Sequence, residues 1–265
     1  MAMVVAAMGA ASAQEAMAMG AHTVSITITN TTSHQTFSAP VVVAHDASYQ
    51  PFDLGKPVLP ELVPLAEDGM THDFETVARI EPSILDYAIA GGPLAPGQSV
   101  TLQVGVDDGH RLLSAFGMLV TTNDAVFYYG NDLSMAGDAN GASMASGSDA
   151  MGSSDAMGSS DAMGSSGGMA SSDVGTGDAA MAGDAMNAPV DLYDGTVRVL
   201  DAGSEANTES CSDVPGPPCN SVGVRHTSMA EGTVALHQGL TGSGDLDPEM
   251  YGWHDPVAKV NVTTP

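Results

Sequence analysis

Residues 135 to 188 contain no aromatic residue, no lysine and no arginine, and they repeat the unit Asp-Ala-Met-Gly-Ser-Ser three times in succession, from Asp149, Asp155 and Asp161. A segment of that composition has too little apolar surface to offset roughly 1–2 kcal/mol of backbone entropy per residue, so a disordered Gly/Ser/Asp/Met-rich insert is expected there. Only the two flanks, residues 23–134 and 189–262, are left to fold, and together they have the length of one domain. Within the insert, Gly164 to Gly168 satisfies the Gly-x-Ser-x-Gly pattern of serine hydrolases. That motif needs a strand before it and a helix after it, and Gly/Ser repeats generate it by chance.

The flanks carry the marks of short strands. Val24 to Thr29 and Val100 to Val106 alternate apolar and polar residues, the second after the turn-forming Pro96-Gly97. Met118 to Val120, Ala125 to Tyr129, Thr196 to Leu200, Thr233 to His237 and Val257 to Val262 read in the same way. Runs of this kind separated by Gly, Pro, Asn and Asp predict an all-β fold, an antiparallel sandwich. One exception stands out, since Pro60 to Ala66 and Asp73 to Ile80 have helical spacing on either side of Asp68-Gly69. A short helical excursion between two early strands is predicted. The insert falls between the strands ending near Tyr129 and beginning near Thr196, so it is expected to hang from a hairpin. Loop closure costs only about 0.6 kcal/mol more per doubling of length, which makes such an insertion tolerable.

Charge excludes some classes of partner. The chain has 32 Asp and Glu against 6 Lys and Arg, a formal net charge of -26. Neutralising phosphates requires a basic face, so neither nucleic acid nor an anionic membrane surface is an expected partner. Seven of the acids lie in the insert, so most of the excess belongs to the flanks. At about 1 M salt the Debye length falls to ~3 Å and this self-repulsion is screened, so the composition is the one expected of a halophilic protein.

The chain opens on an apolar run closing at Ala11-Ser12-Ala13, the small-x-small form of a signal-peptidase site, although no basic residue precedes it. Residues 1–13 therefore read as a signal peptide, truncated at its basic end. Export agrees with the two cysteines. Cys211 and Cys219 bracket a stretch of prolines and Gly216 that can turn the chain back on itself, and an oxidising compartment would keep a disulfide between them. The expected location is secreted: extracellular, at the cell surface or in the periplasm.

Three loops carry carboxylates in the density that Ca²⁺ uses, since this ion accepts 6–8 oxygens in irregular geometry. They are Thr121 to Asp124, Asp201 to Glu209, and Gly244 to Glu249. None is an EF-hand: counting from Asp245, the positions that motif reserves for Gly and Glu hold Met250 and Pro256. Two like charges ~4 Å apart repel by about 4 kcal/mol at an effective dielectric of 20. Converging Asp124, Asp201 and Glu205 would thus be costly without a divalent cation. Asp245, Asp247 and Glu249 read as a turn.

Thr122-Asn-Asp124-Ala-Val-Phe, Asp201-Ala-Gly-Ser-Glu205-Ala-Asn207, Pro215-Gly-Pro-Pro-Cys219 and Gly242-Ser-Gly-Asp245-Leu-Asp247-Pro-Glu249 follow one another in a particular order. Before them stand Phe37 to Asp46, Phe52-Asp-Leu-Gly and Pro60-Glu-Leu. This series resembles the spondin domain in its bacterial form, over roughly residues 23 to 262 without the insert. The resemblance implies a C2-like antiparallel β-sandwich, exported, with one structural Ca²⁺ at one end. Asp124 and Asp201 match the ligand positions of the animal F-spondin domain. Glu205 stands where those members carry Asp, one methylene shorter, and is a third candidate ligand. The expected function is a secreted or cell-surface calcium-binding module with a binding or adhesion role and no catalysis. Its expected partner is an extracellular or cell-surface protein or polysaccharide.

Three other readings compete. A carbohydrate or surface-polymer binder would need an exposed aromatic platform, and Trp253 is the one tryptophan. A secreted hydrolase would need a selected pair of carboxylates, and none is singled out. A copper protein is suggested loosely by Cys219, His226 and Met229 with His45 as an earlier ligand, but a Cys211–Cys219 disulfide would remove the thiolate.

Overall fold

The computed structural model describes residues 21–133, 190–222, 224 and 230–264. The signal-peptide reading of residues 1–13, the insert, and His226 and Met229 fall outside them.

Among the described residues nine strands form two antiparallel sheets. The smaller has the order β4-β1-β9, with β1 at His22–Asn30, β4 at Ser99–Val106 and β9 at Ala258–Thr263. The larger has the order β3-β2-β5-β6-β7-β8. Its strands are β2 (Val41–His45), β3 (Ile84–Ile89), β5 (Leu112–Met118), β6 (Ala125–Asp132), β7 (Asp194–Asp201) and the two-residue β8 (Ala235–Leu236). The expected sandwich is present.

Side-chain alternation explains the smaller sheet. Val24, Ile26 and Ile28 of β1 are fully buried, while the residues between them face outward. They pack with Val104 and Val106 onto Val42, Ala44, Leu113, Ala115, Phe127 and Val199 of the larger sheet. This is the inter-sheet core.

The larger sheet is covered on its other face as well. Between β2 and β3 the chain makes a 3₁₀ turn at Pro60–Leu62, then α1 (Val63–Asp68) and α2 (His72–Ala78). Leu62, Leu65, Ala66 and Phe74 from these turns pack with Phe52 on Val41, Val43, Phe116, Val126, Tyr128 and Leu200. Gly69 ends α1 in the left-handed region at φ 69°, and a Cβ there would lie 2.6 Å from the Ser38 Cβ. Both the conformation and the close approach call for glycine. The helical excursion thus links two early strands and supplies a third layer.

β6 and β7 are antiparallel neighbours, with Phe127 opposite Val199 and Ala125 opposite Asp201. Residues 134–189 therefore connect the two strands of a hairpin, leaving from the end of β6 that is farther from Asp124.

Cys211 and Cys219 form a disulfide with their Cα atoms 4.9 Å apart. Around it lies a small separate core of Val214, Cys219 and Leu246. Closing so short a loop removes about 2–3 kcal/mol of unfolded-chain entropy on the loop-length relation. Replacing both cysteines with serine is expected to lower the melting temperature by roughly 5–10 °C in a body of this size. Thermal melts of the double variant beside the oxidised parent check this.

Candidate metal centre

Three loops meet at the pole where β5 leaves and β6 begins. The first is the turn Thr121 to Asp124, all four residues of which are buried. Its shape follows from local bonds: the Thr122 hydroxyl donates to the Leu119 carbonyl at 2.6 Å and accepts from the Ala125 N–H at 3.1 Å. Asp124, the residue before β6, is thereby held inward with no exposure.

The second loop begins at Asp201, the last residue of β7. Because Ala125 and Asp201 are partners in the ladder, the register itself places the two aspartates at the same end of one hairpin. Ala202 reinforces the junction by donating its N–H to the Asp124 carbonyl at 3.3 Å. The expectation that these two residues share a pole therefore follows from strand pairing alone.

The carboxyl groups are served unequally. Asp124 Oδ2 accepts the N–H of Ser204 at 2.8 Å, the N–H of Glu205 at 3.1 Å and the Ser204 hydroxyl at 3.2 Å. Asp124 Oδ1 is buried with no hydrogen-bond partner. Burial, and after it the charge of Asp201, push the Asp124 carboxyl up to about 8, against the pull of the Glu205 and Ser204 N–H groups. Asp201 is buried and its carboxyl is also raised, chiefly by desolvation. Its Oδ1 accepts the Gly203 N–H at 2.7 Å and its Oδ2 accepts from the Asn207 side-chain amide.

A partnerless carboxylate oxygen in a dry site is costly, on the order of 1–3 kcal/mol or more for a charged group. Placed beside a second aspartate, it fits a hard cation, which would remove both the orphaned oxygen and the repulsion. Among the described residues, no group of three or more His, Cys, Asp or Glu is arranged to hold a metal ion. What the structure brings together is the pair Asp124 and Asp201.

Glu205 sits in the same cluster in another posture. It is buried, its N–H reaches Asp124, and its Oε2 accepts from the Asn123 amide at 3.3 Å. Asn123 is the hub of this region. Its Nδ2 also donates to the Thr208 hydroxyl at 3.3 Å, and its Oδ1 accepts the Glu209 N–H at 3.0 Å.

Glu209 ties in the third loop. It has φ 53°, the one described residue other than glycine with positive φ. Its carboxylate accepts the N–H and hydroxyl of Thr241 at 2.5 and 2.9 Å, the Gly242 N–H at 2.7 Å and the Ser243 N–H at 3.0 Å. Burial raises this carboxyl, but the Thr241 and Gly242 donors outweigh it and hold the group below its usual value. The acids of this loop that the sequence offered have structural tasks. Asp245 accepts the Cys211 N–H at 2.8 Å, and Asp247 caps the turn Pro248–Tyr251 through the Glu249 N–H at 2.9 Å.

A second line of support comes from β8. The His237 Nδ1 accepts the Gly239 N–H at 2.9 Å, so the proton sits on Nε2, which donates to Asn207 Oδ1 at 3.2 Å. Burial brings this imidazole down to about 4, keeping it neutral. Its ring packs against Trp253 at 5.1 Å, and Trp253 is itself half-buried against the inter-sheet core. Asn207, so oriented, presents its amide to Asp201. The sequence singled out neither Asn207 nor His237 as a functional residue, although Asn207 closes the Asp201 motif.

Cys219 is bonded to Cys211, which removes the sulfur a copper site would require. Among the described residues no helix is long and apolar enough to cross a membrane. No protein-family model and no curated protein sequence matches the chain.

Proposed function

We propose that the chain is an exported, non-catalytic β-sandwich of the spondin type, which binds one structural Ca²⁺ and presents the fastened pole to an extracellular or cell-surface protein or polysaccharide. The observation that carries the calcium reading is the fully buried Asp124, with one oxygen unpartnered and Asp201 beside it. The disulfide is compatible with an extracellular location. Asp124 and Asp201 would hold the ion, with Glu205 in reach of the same cluster. Calcium supplies positive charge to a site that otherwise forces two acids together. The protein's own part is orientation: Ser204 and Glu205 N–H groups fix one face of the Asp124 carboxyl, and Gly203 and Asn207 fix Asp201.

Calorimetric titration with CaCl₂, paired with melts in calcium and in EDTA, tests the reading. One ion per chain is expected at the pole. Stabilisation should reach about 2.7 kcal/mol at a hundredfold excess over Kd, or roughly 5–10 °C. Identical melting curves in calcium and EDTA would reject the site.

A further inference from the structure

The chain presents the pattern Asn-x-Ser/Thr, with x other than proline, at Asn30-Thr31-Thr32 and again at Asn261-Val262-Thr263. In an exported protein this is the acceptor motif for N-linked glycans. We infer that Asn261 is a glycosylation site, carrying a neutral oligosaccharide, and that Asn30 is not. The inference rests on the export reading above and is independent of the calcium centre.

The two asparagines offer opposite environments. Asn30 closes β1 with no exposure, and its Nδ2 commits both hydrogens, one to the Gln35 carbonyl at 2.8 Å and one to the Leu94 carbonyl at 2.9 Å. A sugar on that nitrogen would displace one of these bonds and would have to fit inside a close-packed core. Asn261 lies in β9, which pairs with β1 along one side and with no other described strand. Its side chain is exposed and makes no hydrogen bond to a described residue. Thr263, two places on, is exposed on the same face, so the whole motif is open to solvent.

The surroundings of Asn261 supply the second observation. None of the chain's 32 acids falls in β1, β4 or β9, whereas the strands of the larger sheet hold Asp86, Asp132, Asp194 and Asp201. On the outward side of the smaller sheet hydroxyls meet across the strands, Thr27 with Thr101 at 2.9 Å and Thr29 with Ser99 at 2.8 Å. Thr27 is also the ladder partner of Asn261. A neutral oligosaccharide laid on this face would strip water from no carboxylate, and its hydroxyls would find both donors and acceptors. An acidic protein that keeps one sheet free of acid has there a surface suited to a sugar cover.

The modification needs a lipid-phosphate-linked oligosaccharide and a transferase of the exporting cell. The Asn261 Nδ2 forms a bond to C1 of the first sugar, the C1–O bond to phosphate breaks with its electron pair leaving on the lipid phosphate, and one Nδ2 proton passes to a base of the transferase.

Mass spectrometry of peptides tests this, on the full-length protein made in the cells that naturally produce it and collected separately from outside and inside them. The exported protein should carry an increment of whole sugar residues on the Asn261 peptide and none on the Asn30 peptide. Thr263→Ala should abolish the increment and Thr263→Ser should keep it, because the motif requires a hydroxyl at that place. Both substitutions alter an exposed side chain, so both variants should fold and be exported as the parent is. An unmodified Asn261 in the exported protein, a modified Asn30, or an increment that survives Thr263→Ala would overturn the assignment while export stands. Protein found only inside the cells would overturn the export reading, and the site with it.

Discussion

Asp124→Asn is expected to melt well above the parent in chelator and by a smaller margin in calcium. In EDTA the variant should melt higher than the parent. The amide oxygen can still accept from Ser204 and Glu205, and the repulsion from Asp201 is gone. With the Asp124 carboxyl at about 8 in the folded protein and near 4 in the unfolded chain, the calcium-free parent carries a proton at neutral pH that its unfolded form has released. That difference costs on the order of 4 kcal/mol at pH 7, relative to a neutral isostere. In calcium the margin should narrow, because the ion stabilises the parent more than the variant. Removing one partner of a buried charge contact costs about 2–5 kcal/mol, so affinity should fall at least about 30-fold.

The same residue gives the pH dependence its sign. A carboxyl raised by folding makes the folded state the better proton binder, so the calcium-free parent should lose stability as pH rises from about 4 to about 8, by up to ~1.4 kcal/mol per unit. Calcium must displace that proton, so apparent affinity should rise up to tenfold per unit over the same window. Chelator melts from pH 4.5 to 8.5 for the parent and Asp124→Asn check both statements. A parent profile no steeper than that of the variant would show that Asp124 is not the titrating group.

Glu209→Ala is expected to be the most damaging single change at the pole. It would strand the N–H groups of Thr241, Gly242 and Ser243, which converge on one buried carboxylate. Buried donors left without acceptors cost about 1–3 kcal/mol each when solvent cannot replace the partner. Thr241 to Ser243 are exposed, so water replaces much of the lost acceptor and roughly 1–3 kcal/mol in total is expected, or a fall of about 2–12 °C. Glu209→Gln, which keeps the shape and one acceptor oxygen, should lose about half as much. The Glu209 backbone N–H still reaches Asn123 in both variants, so calcium affinity should fall less than stability does. Melting and titration of the two side by side check the ranking.

Alternation marks the strands with one wet face, while β6 and β7 are legible from their β-branched and aromatic residues although Ala125 to Gly130 are buried. β1 and β4 alternate because their outer side faces solvent. β2 and most of β5 lacked that signal for a physical reason. Val41 to His45 is buried on both faces, between the inter-sheet core and the helical layer, and Leu113 to Met118 likewise. Such strands read as unbroken apolar runs. Only the tail of β5, at Met118, fell within the run read from the sequence, and β3 was not seen at all. Thr233 to His237 shrank to a two-residue strand because His237 and Thr233 are committed to loop contacts.

At the pole, the pairing of Asp124 with Asp201 could be read because each acid adjoins a strand and the strands are partners. Asn207, Glu209 and His237 could not, since their roles depend on how three loops fold over one another. No periodicity records that.

Asp124 and the Ser204 group that binds it stand 80 residues apart along the chain, on either side of the long connection between β6 and β7. A fastening across that interval acts as a reversible staple, removing about 4 kcal/mol of closure entropy from the open chain. A protease cut anywhere within 134–189 would leave Asp124 on one fragment and Asp201 on the other, so the proposed ion would become an intermolecular bridge. The nicked protein would then come apart more readily in chelator than the intact one, turning an internal brace into a calcium-dependent joint between two polypeptides.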